Sequence, residues 1–193
     1  MRLALAQLNP VVGDLRGNAE RILAAALEAS AGGATLLLTP ELSLWGYPPR
    51  DLLLQPARLA LQSRALDELV HQLDGLCSLL VGVALPCDDD RAPSLYNGIV
   101  LVDQQGWRSV ARKQLLPSYD VFDERRYFRP GDGPCLLTLA GGERLGLTVC
   151  EDLWVEDELQ RERLVGPDPI AALVAARPDL LINLAASPFE PGK

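Results

Sequence analysis

Three segments of this chain place a residue capable of chemistry directly after a strand-like apolar run. Cys150 ends Leu145-Gly146-Leu147-Thr148-Val149 and is followed at once by Glu151-Asp152-Leu153-Trp154, Glu41 follows Leu36-Leu37-Leu38-Thr39-Pro40, and Lys113 follows Arg112 at the end of a run beginning at Trp107. Open α/β sheets gather functional groups at the carboxyl edge of their strands, so one edge would hold a nucleophile, a base and a cation. A free thiol, with a pKa of about 8.5, is mostly protonated at neutral pH, and a carboxylate within hydrogen-bond reach helps to generate the nucleophile. Glu41 is the candidate base. Attack on an amide carbonyl creates an oxyanion, for which Lys113 and the backbone N–H of Glu151 are candidate donors. The only histidine, His71, lies in the helical stretch Leu69-Val70-His71-Gln72-Leu73, which leaves no Cys–His pairing. Taken singly, an acid or a lysine is ordinarily solvated, and a cysteine in an apolar run is ordinarily an inert core thiol. The threefold repetition is what points to function.

The elements that must position these residues alternate between strand and helix. Leu3 to Leu8 predicts a first strand, ended by Asn9-Pro10 and a turn around Gly13-Asp14. The Ala- and Leu-rich run to Ala31 predicts a helix with Asn18 as N-cap and Gly32-Gly33 as its stop. The continuous apolar run Leu36 to Thr39 reads as a strand buried on both faces. Pro56 to Asp74 predicts a second helix and Leu79 to Leu85 a strand. Two hairpins follow, Ile99–Val102 with Trp107–Ala111 and Leu136–Leu139 with Leu145–Val149, and a helix at Ile170–Ala176 leads to a strand at Leu180–Leu184. Strand–helix units mixed with hairpins predict an α/β protein whose sheets are mixed, two layers of sheet flanked by helices.

A chain of 193 residues with 48 % apolar content suffices for one sizeable domain with its own core. A formal charge of −8 with the basic residues scattered argues against a nucleic-acid surface. No run approaches the roughly 20 apolar residues of a membrane span, and the start lacks a signal-type apolar region, so no membrane partner and a cytoplasmic location are expected. Cys77, Cys87, Cys135 and Cys150 form no CxxC pair, and with one histidine they give no zinc-type spacing, so no metal is expected. Cytosolic thiols stay reduced, and three of the four are read as small hydrophobes.

Glu in Thr39-Pro40-Glu41, Lys in Arg112-Lys113 and Cys in Val149-Cys150-Glu151-Asp152 resemble the Glu-Lys-Cys triad of the nitrilase, or carbon-nitrogen hydrolase, superfamily. More narrowly, Gly46-Tyr47-Pro48-Pro49-Arg50-Asp51-Leu52-Leu53, the stretch from Lys113-Gln114-Leu115-Leu116-Pro117-Ser118-Tyr119 to Phe128, and Asn183-Leu184-Ala185-Ala186-Ser187-Pro188-Phe189 resemble the glutaminase domain of glutamine-dependent NAD synthetases. The resemblance runs along essentially the whole chain. It implies an α-β-β-α sandwich and a thioester mechanism releasing ammonia from L-glutamine. The ammonia would pass to a separate ATP-dependent synthetase domain that amidates deamido-NAD. It implies that Tyr119, Ser187 and Lys193 contact the glutamine, and that Glu124 is a second, supporting glutamate that orients the lysine or the substrate amide. Read without the resemblance, Glu124 is an ordinary exposed acid beside Arg125 and Arg126.

Two departures accompany the resemblance. Position 190 is Glu where the family commonly has His, and the sequence ends at Lys193, short of the usual extent of such a domain. Residues 1–193 are therefore expected to form a single, incomplete glutaminase domain. No Ser-Gly-Gly-x-Asp-Ser pyrophosphate loop occurs, so no cofactor is expected in this domain, with ATP and deamido-NAD belonging to the synthetase domain. Assembly into a homo-oligomer is also expected. Two other readings stay open, a free-standing amidase acting on another small amide and a catalytically silent fragment serving in assembly.

Overall fold

The computed structural model describes residues 1–89, 91–154 and 166–187. A five-stranded sheet has the order β1 (Leu3–Leu5), β2 (Leu36–Leu38), β3 (Ser78–Pro86), β4 (Leu95–Asp103), β5 (Gly106–Arg112). Its first three strands are parallel and its last three antiparallel. A second sheet has the order β6 (Cys135–Thr138), β7 (Arg144–Val149), β8 (Leu180–Leu184), with an antiparallel hairpin and a parallel pair. Helices α1 (Leu15–Ala31) and α2 (Pro56–Gln72) precede β2 and β3, and α3 (Pro169–Ala175) precedes β8.

Strand alternation assigns every layer. On β3 and β4, Leu79, Val81, Val83, Val100 and Val102 point toward Ile22, Ala26, Leu66 and Leu69 of α1 and α2. Their neighbours Leu80, Ile99 and Leu101 point the other way, against Leu145, Leu147, Val149, Ile182 and Leu184 of the second sheet. The larger sheet is covered on both faces, which is why β2 reads as an uninterrupted Leu36-Leu37-Leu38 rather than an alternation. Leu173 of α3 is fully buried near Gly146 and Leu181 on the outer face of the smaller sheet. The layers are therefore helix, sheet, sheet, helix, the α-β-β-α sandwich.

Two local expectations are corrected. The first strand ends at Leu5 rather than Leu8, because the Leu8 N–H turns back to the Ala6 carbonyl at 3.1 Å and takes the chain off the sheet. The N-cap of α1 is Asp14, whose carboxylate accepts from the Gly17 N–H at 3.0 Å. Asn18 lies inside the helix and 1 % exposed. Its amide is matched to Val11 N–H and C=O at 2.9 and 2.8 Å and to the Leu44 carbonyl at 3.1 Å. With Arg21 Nη1 also donating to its Oδ1 at 3.1 Å, the buried amide makes four bonds, which outweigh one capping bond at a solvated helix end.

The topology settles where the strands end. Two successive antiparallel pairings return β5 to the direction of β2 and β3, so the segments after β2 and β5 leave from the same edge. Gly82 on β3 lets the segment after β2 lie flat across it. A Cβ there would come within 2.4 Å of Leu42 N and 2.5 Å of Pro40 O, while the Gly82 carbonyl accepts from Leu44 N–H at 3.3 Å.

Candidate active site

Glu41 leaves the end of β2 on a turn held by a left-handed residue, Leu42 at φ +46°. Lys113 follows β5, tied to β4 by its N–H to the Asn97 carbonyl at 2.8 Å. Cys150 follows β7, also left-handed at φ +46°, and opens a short 3-10 turn through Leu153. Non-glycine residues in this region are strained by about 1–2 kcal/mol and persist where the surroundings over-determine them, as at functional sites.

The side chains meet in a dry cluster. The Lys113 ammonium is fully buried and donates to Glu41 Oε1 and to Glu124 Oε1, both at 2.8 Å. Glu41 Oε1 also accepts from Asn97 Nδ2 at 2.7 Å, and its Oε2 accepts from the Ala186 N–H at 3.2 Å. Glu124 Oε1 takes a further bond from the Tyr47 hydroxyl at 2.8 Å. Glu124 is thus a buried partner of the lysine and not an exposed acid. Its Oε2 and Asn97 Oδ1 are buried acceptors without a hydrogen-bond partner among the described residues.

Burial alone would drive the proton off Lys113, but Glu41 and Glu124 outweigh it and hold the lysine firmly charged. Burial pushes the Glu124 carboxyl up from 4.5 to about 7, against the pull of Lys113. The Cys150 thiol is raised well above its ordinary value by burial first and then by Glu41, Glu151 and Glu124, with Lys113 opposing. That environment favours the neutral thiol over the thiolate, so proton transfer that accompanies attack is favoured over prior ionisation. Proton loss to a neighbouring carboxylate is the chemistry that such a field favours.

The turn after Cys150 brings further residues to the same place. The Tyr119 hydroxyl donates to Glu151 Oε1 at 2.7 Å, and its ring meets Phe122 edge-on with centroids 5.4 Å apart. Ser187 follows Ala186, whose N–H binds Glu41, so it lies at the same edge. Lys193 lies outside the described residues, as do Pro188 to Glu190. Among the described residues no group of three or more His, Cys, Asp or Glu could hold a metal ion, and no helix is long and apolar enough to cross a membrane.

Three site residues had no role in the sequence reading. Asn97 stands in the otherwise apolar strand Leu95-Tyr96-Asn97-Gly98-Ile99-Val100, and an amide buried there must have a partner. Tyr47 sits in a recognised motif whose hydroxyl had no assigned target. Asp152, 1 % exposed, resembles a surface acid in sequence, yet it accepts three backbone N–H bonds. Burial raises its carboxyl to about 6, opposed by those bonds.

The Glu124 shift gives a pH-dependent result. A folded-state pKa above the unfolded one means that the native protein retains a proton the unfolded chain has lost. The stabilisation is complete below about pH 4.5 and is lost as the pH rises toward 7. The melting temperature of the parent relative to Glu124→Gln should therefore fall by several degrees across that window. Calorimetry at a series of pH values would show a flat difference if Glu124 titrated normally.

An α-β-β-α sandwich that brings a carboxylate and an ammonium from one sheet together with a thiol from the other defines a class of proteins. Residues 2–165 match the family model for carbon-nitrogen hydrolases, and the chain belongs to that family. It is similar to the glutamine-dependent NAD(+) synthetases of Synechocystis sp. (40 % identical over 99 % of this chain and 35 % of the relative) and Aquifex aeolicus (37 % over 100 % and 31 %). The chain thus spans about a third of the length of these curated relatives. Among solved structures it resembles the glutamine-dependent NAD+ synthetase of Acinetobacter baumannii, with a TM-score of 0.75 and 28 % identity over 98 % of this chain and 33 % of that one. It also resembles an amidase from Nesterenkonia sp., with a TM-score of 0.76 and 27 % identity over 99 % and 66 %.

Proposed function

We propose that this chain is the glutaminase part of a glutamine-dependent NAD synthetase. The observation that carries the reading is the fully buried Lys113 bridging Glu41 and Glu124 beside a thiol whose neutral form is favoured. Cys150 Sγ attacks the side-chain amide carbon of L-glutamine while Glu41 takes the thiol proton. Lys113 and the Glu151 N–H stabilise the oxyanion. Collapse breaks the C–N bond, with Glu41 returning the proton to the departing ammonia, and leaves a thioester. Water, deprotonated by Glu41, then cleaves the thioester to glutamate and restores the thiol. Tyr119, Ser187 and Lys193 bind the substrate, Lys193 at its α-carboxylate.

Ammonia released here serves an ATP-dependent synthetase portion that amidates deamido-NAD. ATP and deamido-NAD belong to that portion, and no cofactor is required at this site. The assembly is a homo-oligomer working in the cytoplasm. Support for glutamine comes from the NAD synthetase relatives, which match from one end of this chain to the other.

The similarity to the Nesterenkonia amidase favours a second reading, hydrolysis of small aliphatic amides. A variant of that amidase is described with acrylamide added at its active-site cysteine. Comparing kcat/KM for glutamine with that for acetamide, propionamide and butyramide separates the two. A site built to pair the α-ammonium and α-carboxylate should prefer glutamine by more than about a hundredfold, since its polar groups are left unpaired by a simple amide. Equal turnover of butyramide would overturn the glutaminase reading in favour of the amidase.

A further inference from the structure

Asp152 joins two segments that are far apart in sequence and that carry two of the three reacting groups. Its Oδ1 accepts from the Gln114 N–H at 2.9 Å and the Leu115 N–H at 2.8 Å, the two amides that follow Lys113. Its Oδ2 accepts from the Val149 N–H at 3.0 Å, the amide that precedes Cys150. The residue is 1 % exposed, so water is not a ready substitute for any of these bonds. The Lys113 backbone is pinned on its other side as well, its N–H to Asn97 O and its C=O from Gly131 N–H, each at 2.8 Å. The Val149 bond closes the turn in which Cys150 holds its left-handed conformation.

We propose that Asp152 is a positioning residue for the reaction, its carboxylate locking the turn that carries the Cys150 thiol to the segment that carries Lys113. The proposal rests on Cys150 being the nucleophile, as argued above. The carboxylate is suited to this because it offers acceptors on both oxygens and no donor. An asparagine in its place keeps one acceptor oxygen and turns an N–H2 group toward a backbone N–H, so one side of the clamp opens whichever way the amide faces. The segment on that side, carrying either Lys113 or Cys150, would then no longer be held at the geometry that attack needs, although Glu41, Lys113 and Cys150 are all still present.

The test is glutamine turnover by Asp152→Asn and Asp152→Glu in the whole protein, measured well below the melting temperature of each variant and corrected for the folded fraction. Displacement of reacting groups by about 1 Å costs on the order of a hundredfold. The expected result is a kcat lower by about ten- to a hundredfold with KM changed by less than about threefold. Alkylation of Cys150 by iodoacetamide should change rate in the same variants, whereas a purely structural carboxylate would leave both readings at the parent level. Should Asp152→Asn fail to fold, Asp152→Glu provides the same readings, because it keeps charge and both acceptors but shifts them by a methylene. A variant with a lowered melting temperature but the parent kcat, or a loss confined to KM, would overturn the proposal. Cys150→Ala measured alongside separates the two layers. If it retains turnover, the nucleophile assignment fails and this proposal falls with it; if it is inactive while the Asp152 variants keep the parent kcat, only the positioning role fails.

Discussion

Replacing Cys150 with alanine should bring glutamine hydrolysis to background while leaving the fold in place. Loss of a covalent nucleophile removes the thioester route outright, and removal of one member of a unit that acts together costs roughly four or more orders of magnitude. The structural cost should be small for two reasons. Burial and the neighbouring carboxylates favour the neutral thiol, so its removal leaves the charges of the Glu41–Lys113–Glu124 cluster in place. Alanine meets the left-handed backbone at position 150 no worse than cysteine does. Ammonia release, circular dichroism and a melting curve check the three statements together. Labelling by a diazo-ketone analogue of glutamine should fall on Cys150 and spare Cys77, Cys87 and Cys135, because only Cys150 stands beside the carboxylate and ammonium. Parent-level turnover in Cys150→Ala would remove the basis for the proposed reaction.

Lys113→Met should have the second largest effect, acting on both stability and rate. The substitution keeps most of the side-chain volume but leaves Glu41 and Glu124 buried without their shared cation. Breaking a buried ion pair by removing one partner costs about 3–5 kcal/mol, which for a domain of this size lowers the melting temperature by on the order of 10 °C. With the ammonium gone, the developing oxyanion also loses a charged donor, so the rate should fall by about a hundredfold or more. Turnover that survived intact, or a melting temperature equal to the parent's, would show that the cluster does not serve the chemistry.

Much of this was legible one segment at a time. The strand Leu180–Leu184 falls where its apolar run predicts, and both hairpins are found, three of their strands extended at their ends and the fourth, Cys135–Thr138, shifted by one residue so that Leu139 falls in the turn. Unbroken apolar runs such as Leu36-Leu37-Leu38 announced a sheet covered on both faces, and the charged residues that follow β2 and β5 meet in the structure. The start of α1 was misplaced because two side chains four residues apart both suit a cap. What drew Asn18 into the interior was the turn at Val11, seven residues before it, together with the loop at Leu44, 26 residues on and outside any helix-sized window.

The sequence by itself determined which residue types stand at the strand ends, and through them the nucleophile, base and cation of the proposed site. It did so because period-two burial and turn chemistry are local properties, written in adjacent residues. The tertiary structure alone decided which acids are buried. Glu124, Asp152 and Asp123 look alike in sequence, yet the first binds Lys113 and the second clamps two backbone segments, while Asp123 lies beside the cavity lined by Tyr47, Phe122 and Tyr127. The same holds for Asn97, which becomes a ligand of Glu41 only when β4 is laid between β3 and β5. A carboxyl takes its pKa and its role from desolvation and from the donors around it, and those are supplied by segments up to 145 residues away, as with the Ala186 N–H on Glu41.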